Sequence, residues 1–339
     1  MSPSTHDRVS GVELADPELR AALEHGLVQV EELLHREVQS EFHFLTETSL
    51  HLVDAGGKRF RPMFTLLAGQ FGPVREPHGS ADVVRAAAVV ELVHLATLYH
   101  DDVMDEATMR RGAVSANARW DNTVAILTGD FLFAHASRMV ADLGPEAVRI
   151  IATTFAELVT GQMRETLGAA EGTDPVEHYL AVVAEKTGSL IATAGRYGAM
   201  FSGATQERVS ALRRFGDVIG TAFQISDDII DIASPAAESG KVPGTDLREG
   251  VRTLPVLYAL REQGPVGDRL RELLAEPLGD DALVAEALEL LRGSGGLEQA
   301  MSTLHSYADR ARAELAVLPD CAARDALASL ADYLVARTG

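Results

Sequence analysis

Cysteine is nearly absent: Cys321 is the only one in 339 residues. That excludes an intramolecular disulfide and any multi-cysteine metal site, and it fits a reducing cytoplasm. Basic residues are scarce beside acidic ones, 30 against 50, for a formal charge of -20. A chain so acidic is not expected to take nucleic acid or an anionic membrane surface as its main partner. If its substrate is an anion, metal ions or a local basic cluster must receive it. Long apolar runs are missing as well. The most apolar stretch, AAAVVELVHLATLY (86–99), is interrupted by Glu91 and His94 and is too short and too polar for a transmembrane segment. The first twenty residues carry no apolar core of the secretory-signal kind.

Strand signals are missing too. Aromatics make up only 5% of the chain, and no alternating apolar pattern is bounded by hairpin turns. Apolar residues instead recur at spacings of three and four, in stretches rich in Ala, Leu, Val and Glu, which predicts an all-α fold. Breaks are expected at Gly56-Gly57, 72–80, Gly144-Pro145, 172–175, 202–205, 234–245, 264–265 and 277–281. Between them lie segments long enough for a helical bundle. None of the gaps resembles a linker between independent domains. A single domain over 1–339 is expected, with about residues 1–15 flexible.

Two acidic clusters stand out. DDVMD (101–105) closes a strongly helical stretch and sets Asp101 and Asp105 a turn apart on one face, with Asp102 beside them. FQISDDIIDI repeats the spacing with Asp227, Asp228 and Asp231, set among Phe223, Ile225, Ile229, Ile230 and Ile232. One such cluster alone reads equally well as a solvated acidic face. Two copies on apolar helices are another matter, because uncompensated buried carboxylates are costly and bound cations remove the cost. Carboxylates a turn apart are hard-oxygen ligands suited to Mg²⁺, whose remaining positions water and a diphosphate would fill.

The complementary positive charge is local. GGKRFRP (56–62) offers a Gly-Gly turn, then Lys58 and Arg61, then Pro62 at a helix start, where backbone N–H groups and a two-pronged guanidinium attract anions. Arg110 and Arg111 follow the first cluster by about one and a half helical turns, and surface ion pairing is the plainer reading of that pair alone. His94 lies two turns before Asp101 on the same face; a lone histidine there is more often a satisfied core residue. Lys186 and Thr187 in AEKTGSL, and Lys241 in GKVPGTD, add two charges and a hydroxyl near glycines. Taken together these residues describe a site for two phosphorylated substrates, one held through metal and one by basic side chains.

In this order GGKRFRP, DDVMD with its trailing RRG, EKTGSL, FQISDDIIDI and GKVPGTDLREGVRTLP closely resemble the trans-isoprenyl (polyprenyl) diphosphate synthase family, over about residues 50–260. The resemblance implies a single bundle of long, mostly antiparallel helices around a deep central cavity, in a homodimer. It implies Mg²⁺-dependent head-to-tail condensation of isopentenyl diphosphate with an allylic diphosphate, with about three metal ions per active site. Carried over position by position, Lys58, Arg61, His94 and Arg111 would bind isopentenyl diphosphate. Arg110, Lys186, Thr187, Gln224 and Lys241 would contact the allylic diphosphate, and Lys186, Thr187 and Gln224 would also serve the reaction itself. Asp101, Asp102, Asp105, Asp227, Asp228 and Asp231 would serve the metal. Two departures stand out: Val251 occupies the place of a family lysine, with Arg252 beside it, and GQMRE (161–165) replaces a usual Gly-Glu pair.

Ala96 and Thr97 precede Asp101 by roughly 6 to 8 Å of helix rise. Where the family carries an aromatic that stops chain growth early, these residues are small. That predicts a geranylgeranyl or longer all-trans product, with Phe155 on another helix as a candidate stop; close helix packing is the plainer reading of two small residues. A terpene cyclase needs no second diphosphate pocket, and a non-catalytic synthase subunit tends to lose an aspartate cluster. Glu32-x-x-His35 and Glu91-x-x-His94 have the spacing of a di-iron bundle, a reading that leaves both aspartate clusters unexplained.

Overall fold

The computed structural model describes residues 8–9, 12–73, 80–233 and 243–338. The described residues are overwhelmingly α-helical, as expected. Two hairpins of two-residue strands break the pattern: β1 (Arg8–Val9) with β2 (Val12–Glu13), and β3 (Met109–Arg110) with β4 (Ala113–Val114). Val12 and Leu14, within the stretch expected to be flexible, are fully buried.

The chain divides into two compact units. One comprises residues 1–156, 190–216 and 315–327. Its first helices are α1 (Pro17–Glu37), α2 (His43–Asp54), α3 (Phe60–Ala68) and α4 (Ala81–Met104). Asp16 caps α1 by accepting from the Leu19 N–H at 2.7 Å, with Pro17 at the first helical position, where its missing N–H costs nothing. Helix α4 buries residues on every side, from Val83, Ala87 and Val90 to Leu92, Leu95 and Tyr99, the mark of a central helix. Around it pack α1, α3, α5 (Ala116–Arg119) and α6 (Asn122–Ala141). The Tyr99 hydroxyl donates to the Thr48 carbonyl and accepts from the Leu52 N–H at 3.2 Å, fixing α2 to the part of α4 that carries the first aspartates. Residues 190–201 belong to α9 (Ser189–Phe201) and lie against α3: a Cβ on Gly198 would fall 2.0 Å from the Thr65 carbonyl oxygen, so only glycine permits the approach.

Among the described residues α6 alone is long and apolar enough to cross a membrane by length and composition, and 39% of that stretch is buried. The stretch 86–99 lies in α4, which does not meet that test. The expected helical count from Asp105 to Arg110 also needs correcting. Helix α4 stops at Met104, and the chain doubles back through Arg111 (φ 53°) and Gly112 (φ 77°), a two-residue turn with both residues left-handed. Arg110 and Arg111 therefore ride on a hairpin and not on a helix.

The other unit comprises residues 157–189, 217–314 and 328–339. It holds the later part of α7 (Pro145–Leu167), α8 (Pro175–Val183) and the later part of α10 (Gln206–Ala233). It also holds α11 (Thr245–Glu249), α12 (Leu254–Ala259), α13 (Pro265–Leu273), α14 (Asp281–Arg292), α15 (Gly295–Glu314) and the end of α16 (Ala322–Ala336). Its core gathers Ile232, Leu247, Val256, Leu270, Leu278 and Leu291. The Arg292 guanidinium donates to the Ile232 carbonyl at 2.7 Å and ties α14 to the end of α10. Between α8 and α9 the chain widens into a π-helical turn, Ala184–Gly188, which carries Lys186 and Thr187. Such turns concentrate at functional sites.

Candidate active site

The loop before α3 is built around arginines. Gly56 (φ 78°), Gly57 (φ 137°) and Arg59 (φ 45°) all take positive φ, a strained choice for Arg59. Three interactions hold it there. Its guanidinium pairs with Glu31, donates to Glu91 at 2.8 Å and to the Val53 carbonyl at 2.9 Å, and its side chain is only 9% exposed. Turning Arg59 inward leaves Lys58 exposed and sets Arg61 at the start of α3. Arg111 reaches over from its hairpin and donates to the Gly56 carbonyl, to the Leu52 carbonyl at 3.2 Å, and toward Glu91 at 3.5 Å. A Cβ on Gly57 would lie 2.9 Å from the Arg111 Cζ, so the second glycine of the motif is what lets this arginine close on the loop.

Glu91, buried at 1% exposure, is thus shared by Arg59 and Arg111. Arg61 carries a buried Nε without a hydrogen-bond partner. Burial lowers its pKa to about 10, with Arg111 pushing the same way and Glu91 opposing. His94 is held well below the ordinary imidazole range, first by burial and then by Arg61, Arg111, Arg59 and Arg110, so it is neutral and can donate one ring N–H. An orphaned guanidinium nitrogen, a neutral imidazole and surplus positive charge in one place are the features of an anion site. The di-iron alternative fails here, because Glu91 is taken by arginines and His35 by the Glu31 carbonyl and Asp54.

At the end of α4 the three aspartates part company. Asp102 is fully buried; its Oδ1 accepts from the Arg110 Nε at 2.5 Å, while its Oδ2 is buried with no partner. Burial raises the Asp102 pKa, and Arg110 opposes the rise. Asp105 is 53% exposed, 3.9 Å from another Arg110 nitrogen, and Asp101 is half-buried. Arg110, which the sequence assigned to a diphosphate, is held in this structure between two carboxylates.

On α10 the second cluster divides in the same way. Asp228, 3% exposed, accepts from the Tyr179 hydroxyl and from the Gln224 amide at 2.9 Å. Burial pushes its pKa up to about 7 against those two hydrogen bonds. Asp227 is 40% exposed and pairs with Arg337 at 2.8 Å. Asp231 accepts from the Thr245 and Asp246 N–H groups, each at 3.3 Å, and so holds the start of α11. Lys186 pairs with Glu165, three residues past Gln162, and a Cβ on Gly161 would lie 2.9 Å from the Lys186 backbone nitrogen. The GQMRE segment therefore supports the π-helical turn directly. Arg252 donates to the Leu274 carbonyl at 3.2 Å, beside an exposed Val251. Lys241 lies outside the described residues.

The donors fit a hard divalent cation: only carboxylate oxygens are offered, and Asp102 keeps an unpaired buried one. Among the described residues no three carboxylate, imidazole or thiol groups already converge at metal distance. A bound ion would therefore need water and substrate oxygens to complete its shell, the habit of Mg²⁺. Sequence reasoning missed Arg59, Tyr179 and Arg337, and gave Glu91 a ligand role only in the di-iron alternative. The one local signal was the unusual density of arginine in GGKRFRP.

A family model described as polyprenyl synthetase matches residues 43–291. The chain is 61% identical to the nonaprenyl diphosphate synthase of Mycobacterium tuberculosis over 331 residues, which cover 98% of each chain. It is 49% identical to the dimethylallyltranstransferase of the same organism over 327 residues, 96% of this chain and 98% of that one. Among solved structures, the geranylgeranyl pyrophosphate synthase of Corynebacterium glutamicum, complexed with calcium and isoprenyl diphosphate, superposes with a TM-score of 0.88 at 56% identity. That match covers 97% of this chain and 100% of the other.

Proposed function

The chain belongs to the polyprenyl synthetase family, and from that premise we propose that it is a prenyltransferase condensing isopentenyl diphosphate head to tail with an allylic diphosphate. The observation that carries this reading is the arginine loop. Arg61, with its unpartnered buried nitrogen, neutral His94 and loop-clasped Arg111 form a preformed acceptor for one anion, separate in function from the carboxylates that would serve metal. Dependence on a divalent metal follows from the family, with Mg²⁺ in the proposal because every donor is a hard oxygen.

Lys58, Arg61, Arg111 and His94 would grip isopentenyl diphosphate and orient its double bond. Asp101 and Asp105 with Asp102, and on the other cluster Asp227 with Asp228 and Asp231, would hold Mg²⁺, which supplies charge neutralisation for a leaving diphosphate. Lys186 would add a direct positive charge to that leaving group. With its amide nitrogen donated to Asp228, Gln224 keeps a carbonyl oxygen that, like the Thr187 hydroxyl, suits a neighbouring positive charge on the allylic carbon. The product in this proposal is geranylgeranyl or a longer all-trans chain, the range spanned by the nonaprenyl and geranylgeranyl synthases named above. We place the whole chain in one catalytic domain of a cytoplasmic homodimer, a reading helped by the exposed Ile126 and Leu127 on α6. Incubation of the purified protein with radiolabelled isopentenyl diphosphate and geranyl, farnesyl or geranylgeranyl diphosphate tests the reaction and its product length together. Absence of condensation with every primer at saturating Mg²⁺ overturns it.

A further inference from the structure

Arg337 follows the last turn of α16, 110 residues from Asp227, yet its side chain is spent almost wholly on the acidic stretch of α10. The Nε donates to the Ser226 hydroxyl at 2.6 Å, and Nη2 donates to the Phe223 carbonyl at 3.0 Å. The same nitrogen lies 2.8 Å from the Asp227 Oδ1, and the guanidinium sits over the Phe223 ring at 4.6 Å. Ser226 is fully buried and donates in turn to the Leu334 carbonyl at 3.0 Å, so the two helices are laced together at this point. With 11% of its side chain exposed, Arg337 is anchored from three sides before it meets the carboxylate.

An exposed ion pair would deserve little weight. Here the neutral anchors fix where the guanidinium stands, so the guanidinium in turn fixes the carboxylate. Asp228 is oriented by Tyr179 and Gln224, and Asp231 by two backbone N–H groups. Asp227 differs from both in being aimed by a cation. A carboxylate with one oxygen engaged and 40% of its side chain still exposed has its other oxygen to offer a metal.

We propose that Arg337 is the positioning residue of Asp227: it takes one carboxylate oxygen and thereby fixes the rotamer in which the other receives the metal ion. This rests on the reading of Asp227 as a metal ligand given above. Two opposing effects decide the sign. A guanidinium near a cation repels it, whereas a pre-oriented ligand costs less to order. Partners of metal ligands typically change metal affinity 10–100-fold when lost. In the complex the substrate diphosphate offsets the repulsion, so orientation should dominate.

The test titrates Mg²⁺ into the full chain at saturating geranyl S-thiolodiphosphate, an unreactive allylic analogue, and reads the rise in thermal midpoint. Arg337→Gln and Arg337→Lys should each shift the half-saturating Mg²⁺ upward about tenfold or more, because neither reproduces the fork, while the KM for isopentenyl diphosphate stays within about twofold. Ser226→Ala, which removes one anchor and leaves both charges, should shift it the same way by less. It also keeps the test decisive if the Arg337 variants do not fold. Unchanged or tighter Mg²⁺ binding in the folded variants, or full restoration by lysine, overturns the positioning role while leaving Asp227 a ligand. A wild-type protein showing no Mg²⁺-dependent shift with the analogue overturns the metal reading itself, and this inference with it.

Discussion

Arg59 and Glu91 form a buried ion pair at 2.8 Å, with 9% and 2% of their side chains exposed, and Arg59 holds it from a left-handed backbone conformation. The pair ties the anion loop to the central helix α4. Removing one partner of a buried pair leaves the other charge uncompensated, which costs about 3–5 kcal/mol. Glu91→Ala leaves half-buried Arg111 without its carboxylate partner and Arg59 with Glu31 alone, and should lose about 3 kcal/mol, the lower end of that range, in chemical denaturation. A loss below about 1 kcal/mol would show that the loop rearranges freely and that its geometry is not set by Glu91.

Asp101→Ala and Asp227→Ala should each lower turnover by orders of magnitude while leaving circular dichroism unchanged, since both side chains are only partly buried, Asp227 with 40% of its side chain exposed, and neither belongs to the apolar core. Near-normal activity of either variant at saturating Mg²⁺ would remove that residue from the proposed metal site.

Asp228 separates stability from function. Its folded pKa of about 7 lies above the ordinary carboxylate value of 3.8, so the folded state keeps a proton that the unfolded chain releases. The stability this supplies is fully present below about pH 3.8 and is lost as pH rises through about 7. Asp228→Asn keeps the neutral shape without the proton. In the chelator-treated protein it should raise the thermal midpoint at pH 8 relative to wild type and flatten the pH dependence between those values, while lowering activity. A lower midpoint at pH 8 would mean that Tyr179 and Gln224 fully support the ionised form.

Much of this was legible in the sequence because it is local. The i, i+4 spacing of Asp101 and Asp105 is a property of one helix, and Pro62, five residues after the Gly56-Gly57 turn, marks a helix start that carries basic residues. The rest depends on partners distant in sequence: Tyr179 with Asp228 and Arg337 with Asp227 leave no periodic trace. Arg59 was hidden for another reason. Its positive φ runs against its intrinsic preference and exists only because Glu31, Glu91 and Val53 receive it. The same holds for the hairpin, where Gly112 allows a reversal that the helical count from Asp105 passes over.

Arg61→Ala and Lys58→Ala should chiefly raise the KM for isopentenyl diphosphate. Loss of a charged hydrogen bond costs roughly 1.5–3 kcal/mol, or about tenfold to somewhat over a hundredfold. The effect should be larger for Arg61, which is half-buried with an unpaired nitrogen, than for exposed Lys58. A rise confined to the allylic substrate would exchange the two pockets.

His94 gives a dependence on acidity of the opposite sense to Asp228. Its folded pKa lies well below 6.5, so the unfolded chain binds the proton more readily. Stability from this group is present above about 6.5 and falls as pH drops below it. His94→Gln should flatten the decline of the thermal midpoint between pH 7 and 5; an unchanged slope would place the acid sensitivity elsewhere.

Product length is where the structure redirects the sequence argument. Ala96 is 1% exposed, and a Cβ on Gly129 of α6 would lie 3.1 Å from its carbonyl oxygen and 2.4 Å from the His100 ring. Small residues therefore let α4 and α6 approach closely, and a phenylalanine at position 96 would have to displace packed neighbours, at about 1–3 kcal/mol. Thr97 is half-buried and donates its hydroxyl to the His94 carbonyl, so it offers a better position from which to intrude on a growing chain. One helical turn beyond Gly129, Phe133 meets Phe155 with ring centroids 4.1 Å apart, and both rings are half-buried. An aromatic pair partly open to its surroundings is a firmer stop than one ring, because moving either disturbs the other. Thr97→Phe should shorten the products, and Phe155→Ala should lengthen them by at least one five-carbon unit while leaving the first condensation near wild-type rate. Chromatography of the dephosphorylated products decides. If Phe155→Ala leaves the length distribution unchanged and Phe133→Ala does so too, this pair does not face the growing chain and the stop lies elsewhere.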